Sequence, residues 1–231
     1  MEGKDSKKSK KRIKIEENQM GAEKLQAENL LREQIENPMV RLRYAYAIDF
    51  IQARLRLINA DLTEKNHRQL IRSMSARIKA TESICKKLQK KKHAVTFENA
   101  VLALNDIAGI RVVCYFCDDI YQIAEALQSQ SDFHIIKKKD YVKSPKKSGY
   151  QSVHLIVGVP VTYQKKTEEK RVEVQIRSFA MDYWAELDAQ MCYKKDAGQL
   201  LHVEREIKAY SDVIAKVDNQ MLELRKRTEG I

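Results

Sequence analysis

The sequence predicts an α+β fold, a mixed β-sheet flanked by helices, with helical extensions at its N- and C-terminal ends. Residues from about 19 to 93 have the apolar spacing of helices, whereas strand-like and helix-like segments intermix between about 97 and 195. The composition agrees, because 32% of the residues are charged and only three are proline, which favours helix. Hydrophobic residues, at 43%, suffice for the core of a chain of 231 residues.

The N-terminal region is predicted to be helical after a charged tail at residues 1–18. The tail is expected to be disordered, and a solubilising role is favoured over a contact with RNA or acidic lipid. In the segment RYAYAIDFIQARLRLINADL, residues 43–62, the apolar side chains lie close to a helical stripe. A second helix is predicted in TESICKKLQKKK, with Thr81 as its N-cap.

The predicted sheet has four strands with helices between them. The strands are IAGIRVVCYF, FHIIKKKDYV, YQSVHLIVGVPVTY and KRVEVQIRS, which are rich in β-branched and aromatic residues. A helix capped by Asp118 is predicted in DDIYQIAEALQSQ, and another in FAMDYWAELDAQMCYKK after the last strand. Helices and strands therefore alternate around one sheet.

The C-terminal residues 199–229 carry a heptad pattern. Its apolar members are spaced alternately four and three residues apart, and they are Val203, Ile207, Tyr210, Ile214, Val217, Met221 and Leu224. A seam of this kind either docks on the core of its own chain or joins helices of separate chains. The spacing alone does not choose between the two.

The net charge indicates the kind of partner that the protein binds, and the cysteines indicate the compartment in which it works. The net charge of +11 indicates an anionic partner, which is a nucleic acid, a nucleotide or a membrane surface. No apolar run approaches the ~18 residues of a membrane span, and the charged start is not expected to be a signal peptide. Of the four cysteines, only Cys114 and Cys117 have CxxC spacing, and no histidine lies near them in sequence, so reduced thiols in a cytosol are expected rather than disulfides or a zinc site.

Polar side chains line one face of two predicted strands. One strand presents Glu173, Gln175 and Arg177, and the strand before it presents Tyr150, Ser152 and His154. A single polar face is usually solvated. Two such faces beside the lysines of residues 137–147, with Asp106 directly before another strand, instead favour a site. Carboxylates that hold magnesium and cations that neutralise phosphates are what phosphoryl-transfer chemistry requires.

More cations surround a predicted helix N-terminus. Arg77 and Lys79 precede the helix, and Ser83 and Lys87 follow on one of its faces. Phosphates bind at helix N-termini and at clustered cations, and a guanidinium such as that of Arg111 also stacks on a base. Taken alone, each of these residues is better explained as a surface charge.

Five motifs then carry a resemblance to a known family. They are RIKATESICKK, DIAGIRV, KSPKKSGYQSVHL, VEVQIR and AMDYWAELDAQMCYK, in this order. In order and spacing the chain resembles RelA/SpoT-type (p)ppGpp synthetases over residues 43–195. No paired His-Asp hydrolase domain precedes these motifs and no long regulatory region follows them, so the chain is similar to the small alarmone synthetase branch.

The resemblance implies a reaction and an organisation. It implies a nucleotidyltransferase-like synthetase fold over residues 19–195, followed by an oligomerisation helix at 196–231 that forms homotetramers. The implied enzyme is a GTP diphosphokinase of the stringent response, which transfers pyrophosphate from ATP to the 3′-hydroxyl of GTP or GDP. The products are pppGpp or ppGpp and AMP, the cofactor is Mg²⁺, and the implied location is the cytoplasm.

The resemblance also implies residue roles. Asp106 resembles the magnesium ligand, and Glu173 the second acid, which orients or deprotonates the 3′-hydroxyl and approaches the metal. The residues that resemble the ATP contacts are Arg77 and Arg111 around the adenine and Lys79, Ser83 and Lys87 at the phosphates. The residues that resemble the GTP or GDP contacts are Tyr150 stacked on the guanine, Lys143 and Lys146 at the phosphates, and His154 and Gln175 in the pocket.

One departure from the family pattern keeps alternatives open. Where the family commonly has Glu-His-Lys, this chain has Asp188, Ala189 and Gln190. The change is expected to weaken acceptor binding, to shift the identity of the acceptor, or only to alter packing beneath Trp184. One alternative is a toxin-like relative that pyrophosphorylates a tRNA end or an adenine nucleotide. Another is an inactive nucleotide- or RNA-binding module, with the basic surface contacting RNA. The presence of both Asp106 and Glu173 argues against the inactive module.

Overall fold

The computed structural model describes residues 21–192 and 197–229, so the predicted tail at 1–18 lies outside the described residues. The chain divides into two compact units. Unit 1 contains residues 21–42 and Lys79–Ile107, and unit 2 contains Arg43–Ile78 and the residues from Ala108 onward. No helix in these described ranges is both long and apolar enough to cross a membrane.

Unit 1 is helical. It contains α1 (residues 21–35), the start of α2 (Pro38–Asn66), α3 (Thr81–Lys90) and α4 (Phe97–Ala103). Its core side chains are Leu31, Ile35, Ile84, Leu88, Ala100 and Leu104. The prediction of Thr81 as N-cap is wrong, because Ala80 is the N-cap and the Thr81 hydroxyl instead donates to Glu36 Oε1 at 3.2 Å.

Unit 2 is built on a five-stranded mixed sheet. Its strands are β1 (Ile71–Ile78), β2 (Ala108–Cys114), β3 (His134–Asp140), β4 (Val153–Tyr163) and β5 (Lys166–Ser178). The order is β1-β2-β5-β4-β3, with β2 and β5 parallel and the other pairs antiparallel. The α+β class is confirmed. The prediction that residues 19–93 are all helical is wrong at β1, a largely exposed edge strand whose polar sequence lacks the strand signal.

Helices complete unit 2. They are the remainder of α2, α5 (Cys117–Gln128), α6 (Phe179–Cys192) and α7 (Ala197–Thr228). The prediction that Asp118 caps α5 is wrong. The N-cap is Phe116, two residues earlier, so the helix starts at Cys117, and the Phe116 N–H donates to Asp119 Oδ2 at 3.1 Å. Asp118 instead accepts a 2.6 Å hydrogen bond from Arg225 on α7.

The sheet has one apolar face and one polar face, because side chains alternate along each strand. On β5, Val172, Val174 and Ile176 are fully buried, whereas Glu173 and Gln175 between them point to the other face and are only half-buried. Burial of each such aliphatic side chain stabilises the fold by about 1.5–3 kcal/mol. The apolar face thereby fixes which residues of β5 are available for chemistry.

Helix α7 presents different residues to its own unit and to the surface. Ile207, Ser211, Asp218 and Leu222 are buried, and the Ser178 hydroxyl donates to Asp218 Oδ2 at 2.5 Å. Burial raises the pKa of Asp218. The predicted heptad seam is divided, because a straight helix has 3.6 residues per turn rather than 3.5. Ile207 is buried and Ile214 half-buried, but the exposed stripe consists of Tyr210, Val213, Val217, Met221 and Leu224.

Candidate active site

The polar face of unit 2 carries a closed ring of five hydrogen-bonded side chains. His154 and Gln175 are paired across β4 and β5. His154 Nδ1 lies 3.1 Å from Glu173 Oε1, and His154 Nε2 lies 2.8 Å from the Tyr150 hydroxyl. Arg177 Nη2 donates to the Tyr150 oxygen at 2.8 Å and to Gln175 Oε1 at 2.9 Å. Gln175 Nε2 donates to Glu173 Oε2 at 2.8 Å, which closes the ring.

The chemistry of these groups fixes the proton positions for a neutral imidazole. Arg177 only donates, so the Tyr150 oxygen accepts from it and the Tyr150 hydroxyl hydrogen is free to point at His154 Nε2. His154 then carries its hydrogen on Nδ1 and donates it to Glu173. In this arrangement Glu173 accepts on both oxygens, which fixes the orientation of its side chain.

Two carboxylates of α6 extend this network. Asp182 Oδ1 accepts a hydrogen bond from Arg177 at 3.1 Å and lies 3.5 Å from Arg111 Nη1. Arg111 also donates to Glu186 Oε1 at 2.9 Å. The sequence-based prediction missed Asp182 and Glu186 as site residues and gave Arg177 no role. Their four-residue spacing on a predicted helix is the signal that was available, because it places both acids on one helical face.

The loop before β4 places aromatic rings and lysines together. Tyr150 was predicted inside a strand, but β4 begins at Val153, so this prediction is wrong. The Tyr150 ring lies 6.1 Å from the Tyr141 ring, and the Lys146 ammonium lies 4.4 Å from the Tyr150 centroid. Lys143 is exposed, 5.4 Å from the ring of Tyr121. Tyr141, which the sequence-based prediction missed, also packs edge-on against His154 at 5.2 Å.

Arg77 and Arg111 share the polar face of the sheet. Arg77 is paired with Gly109 on β2, and Gly109 is paired with Glu173 on β5. Paired residues point to the same face, so Arg77 and Glu173 stand about 10 Å apart, two strand spacings, with only a glycine between them. Arg111 occupies the next row, between Ser75 and Gln175. The row through Gly109 is therefore an open strip of the polar face.

A second polar cluster lies in unit 1. Lys79 and Lys87 each donate to Asp106 Oδ2 at 2.6 Å. Burial alone would raise the pKa of Asp106, but the hydrogen bonds and charges of the two lysines outweigh it and leave the pKa below its ordinary value. Ser83 lies on α3 one turn before Lys87 and is exposed. The structure thus brings Lys79, Lys87 and Asp106 together.

The donor set decides which carboxylate fits a metal. No group of three His, Cys, Asp or Glu side chains within residues 21–192 and 197–229 is arranged to hold an ion. Asp106 Oδ1 is buried and has no hydrogen-bond partner among the described residues. A single carboxylate oxygen with this freedom fits Mg²⁺, which commonly keeps waters and takes phosphate oxygens besides one or two protein ligands. Both oxygens of Glu173 already accept hydrogen bonds.

The departure at residues 188–190 leaves the core intact. Trp184 is buried, and its indole N–H donates to the Ile207 carbonyl at 3.0 Å, in agreement with a core role. Ala189 and Gln190 lie on the exposed side of α6. The explanation by packing beneath Trp184 is therefore not supported at these two positions.

Three comparisons relate the chain to known proteins. A family model described as a region found in RelA/SpoT proteins matches residues 76–198. The chain is 32% identical to GTP pyrophosphokinase YwaC of Bacillus subtilis (strain 168), over 81% of this chain and 90% of that protein.

Solved structures are similar as well. The structure of small alarmone synthetase 1 from Bacillus subtilis bound to its product pppGpp superposes with a TM-score of 0.72 at 29% identity, covering 81% of this chain and 95% of that one. The same synthetase bound to AMPCPP gives a TM-score of 0.66 at 25% identity, covering 82% and 96%.

Proposed function

The chain belongs to the RelA/SpoT family, and from this premise we propose that it transfers pyrophosphate from ATP to the 3′-hydroxyl of GTP or GDP. The 3′-oxygen attacks the β-phosphorus of ATP, the bond from that phosphorus to the α–β bridging oxygen breaks, and AMP leaves. The observation that carries the proposal is the hydrogen-bonded ring, which holds the carboxyl group of Glu173 near the aromatic ring of Tyr150. A carboxylate base and a stacking platform are the two groups that a nucleoside hydroxyl acceptor needs.

Glu173 is assigned as the general base that takes the proton of the acceptor 3′-hydroxyl. His154 and Gln175 donate to its two oxygens, so the carboxylate cannot rotate away from the direction that the ring sets. A Glu173 oxygen accepts the 3′-hydroxyl hydrogen as the hydroxyl oxygen attacks phosphorus. Tyr150 stacks on the acceptor base, and Lys143 and Lys146 neutralise the acceptor phosphates.

Unit 1 is assigned to the phosphates of the donor. Lys79 and Lys87 carry positive charge beside Asp106, and Ser83 adds a hydroxyl on the same helix as Lys87. Asp106 would hold Mg²⁺ through its free Oδ1, and the ion when bound supplies charge neutralisation for the transferred phosphates. Arg77 and Arg111 are assigned to the adenine, since guanidinium planes stack on bases.

The setting of the reaction is proposed to be the cytosol. Cys85, Cys114 and Cys117 are free thiols, and burial raises the pKa of Cys117 to about 11, so it is a poor nucleophile at neutral pH. Lysines of β3 stand on the sheet beside the acceptor loop and offer a basic surface for RNA. An RNA acceptor is therefore included as an arm of the first experiment.

The first experiment measures AMP release from ATP with GTP, GDP, ATP and tRNA as separate acceptors. We expect release with GTP or GDP, at least about a hundredfold above the other arms, and its loss when a chelator removes Mg²⁺. Asp106→Asn, which keeps the shape and removes the charge, should lose a similar factor. Release with tRNA or ATP alone would support the toxin-like alternative, and no release in any arm would support a binding module.

A second prediction concerns Glu173→Gln. The amide offers one acceptor where the carboxylate offered two, so it cannot satisfy both His154 and Gln175, and it cannot take the proton. Turnover should fall about 10²–10⁴-fold, while calorimetry shows the wild-type affinity for an ATP analogue. Glu169→Gln on the exposed part of the same strand is the control. Wild-type turnover in Glu173→Gln would contradict the assignment.

Tyr150 separates acceptor binding from chemistry. Tyr150→Ala removes the stacking face, so the acceptor KM should rise about ten- to a hundredfold, equivalent to about 1–3 kcal/mol, with the ATP KM unchanged. Tyr150→Phe keeps the face but breaks the link between Arg177 and His154. It should therefore retain the acceptor KM and lose kcat. Equal impairment toward ATP and GTP, with a lowered Tm, would show that Tyr150 is only structural.

Self-association is proposed to use the exposed stripe of α7. Tyr210, Val213, Val217, Met221 and Leu224 are between 46% and 60% exposed although all are large and apolar. The helix already buries a different side in its own unit, so the stripe is available to a second copy. Four chains would combine two such contacts each in the homotetramer that the family resemblance implies.

Val217→Asp tests this proposal better than a change at the half-buried Ile214. A charge in a buried helix interface is costly, so light scattering should show a smaller species than wild type. Gln220→Asp makes the same charge change at an exposed polar position of α7 and should leave the mass unchanged. A wild type that is already monomeric would refute self-association.

A further inference from the structure

A buried hydroxyl of α7 holds the loop that carries Tyr150. Ser211 is only 3% exposed, and its Oγ donates to the Gly149 carbonyl at 2.6 Å. Gly149 directly precedes Tyr150 and is itself buried. The two residues face a small pocket that Gln151, Trp184 and Asp218 also line. The acceptor loop is thus anchored from behind by a helix that is 62 positions away in sequence.

The approach of α7 at this point is close enough to require glycine. Gly149 has a φ of +94°, a conformation that side chains disfavour. A Cβ added there would lie 2.6 Å from Ser211 Cβ and 2.8 Å from Ser211 Oγ, which is closer than real contacts allow. The absence of a side chain at Gly149 therefore leaves room for the Ser211 side chain, whose hydroxyl bonds to the Gly149 carbonyl.

The anchored turn controls where the Tyr150 ring lies. The Gly149 N–H donates to the Lys146 carbonyl at 2.8 Å, and the Lys146 N–H donates to the Tyr150 carbonyl at 3.1 Å. These two bonds close the turn on itself, and Ser211 ties the closed turn to α7. Any movement of Gly149 is passed to Tyr150, whose hydroxyl belongs to the ring around Glu173.

We propose that Ser211 is a positioning residue for the acceptor site, which acts through Gly149 to fix the Tyr150 loop. Its role extends the proposed function and rests on it for the choice of substrate. Helix α7 has other attachments, the Ser178–Asp218 and Arg225–Asp118 bonds and the indole bond to Ile207. Loss of the Ser211 hydroxyl therefore releases the loop before it releases the helix.

The test compares Ser211→Ala with Leu222→Ala, which removes a buried contact of α7 away from the loop. The first readout is trypsin cleavage after Lys146 and Lys147, identified by mass spectrometry, and it needs no catalytic activity. Ser211→Ala should be cleaved there at least about tenfold faster than wild type, and Leu222→Ala at close to the wild-type rate. Gly149→Ala approaches the same contact from the other side and should reproduce the faster cleavage.

Two further readouts separate positioning from loss of structure. The chain has a single tryptophan, Trp184, whose indole bonds to α7, so its fluorescence reports whether the helix is docked. In Ser211→Ala the spectrum should stay at the wild-type position, while the KM for GTP or GDP rises about tenfold and the KM for ATP does not change.

Three results would overturn the proposal. They are wild-type cleavage of the loop in Ser211→Ala, a shift of the Trp184 spectrum that shows an undocked helix, and equal increases of both KM values. A wild type without GTP- or GDP-dependent product would instead contradict the proposed function. In that case loop cleavage and the Trp184 spectrum still decide whether Ser211 fixes the loop.

Discussion

The register of β5 between β2 and β4 is the constraint on which the polar face of unit 2 depends. It places Gly109 beside Glu173 and His154 beside Gln175, in consecutive rows. A slip of one residue would bury these polar groups and expose the valines of β5. Because an unpaired buried carboxylate is far more costly than an exposed valine, the apolar face and the hydrogen-bonded ring select the same register. The stability of the sheet and the geometry of the hydrogen-bonded ring thus depend on the same register of β5.

The two carboxylates assigned to the reaction have opposite surroundings, and this suits different tasks. Asp106 is paired with two lysines that lower its pKa, yet its Oδ1 has no hydrogen-bond partner in the part of the chain that the structure describes, which suits a metal ligand. Glu173 instead accepts one hydrogen bond on each oxygen, from His154 and from Gln175, and these two donors hold its direction. A general base needs a fixed orientation toward the proton that it takes.

The sequence predicted most of the fold and several candidate site residues that the structure brings together, and the errors have physical causes. The apolar run before Cys114 identified β2, but β1 is a polar edge strand that takes its structure from pairing with β2. The family resemblance matched Lys79 and Lys87 to ATP phosphates and Asp106 to magnesium, and unit 1 brings the three side chains together. Asp182 was not predicted, since its role depends on where α6 crosses the ends of Arg111 and Arg177, which local patterns do not specify.

Helix α7 shows why a heptad pattern did not choose between docking and self-association. A seven-residue repeat and a helix of 3.6 residues per turn drift apart. The seam positions spaced seven residues apart therefore change from buried at Ile207, through half-buried at Ile214, to exposed at Met221. The residues that dock the helix are in part polar, Ser211 and Asp218, and carry no apolar signal. Their hydrogen bonds bind the helix to Gly149 and Ser178, next to Tyr150 and Arg177, so the C-terminal helix also supports the proposed acceptor site.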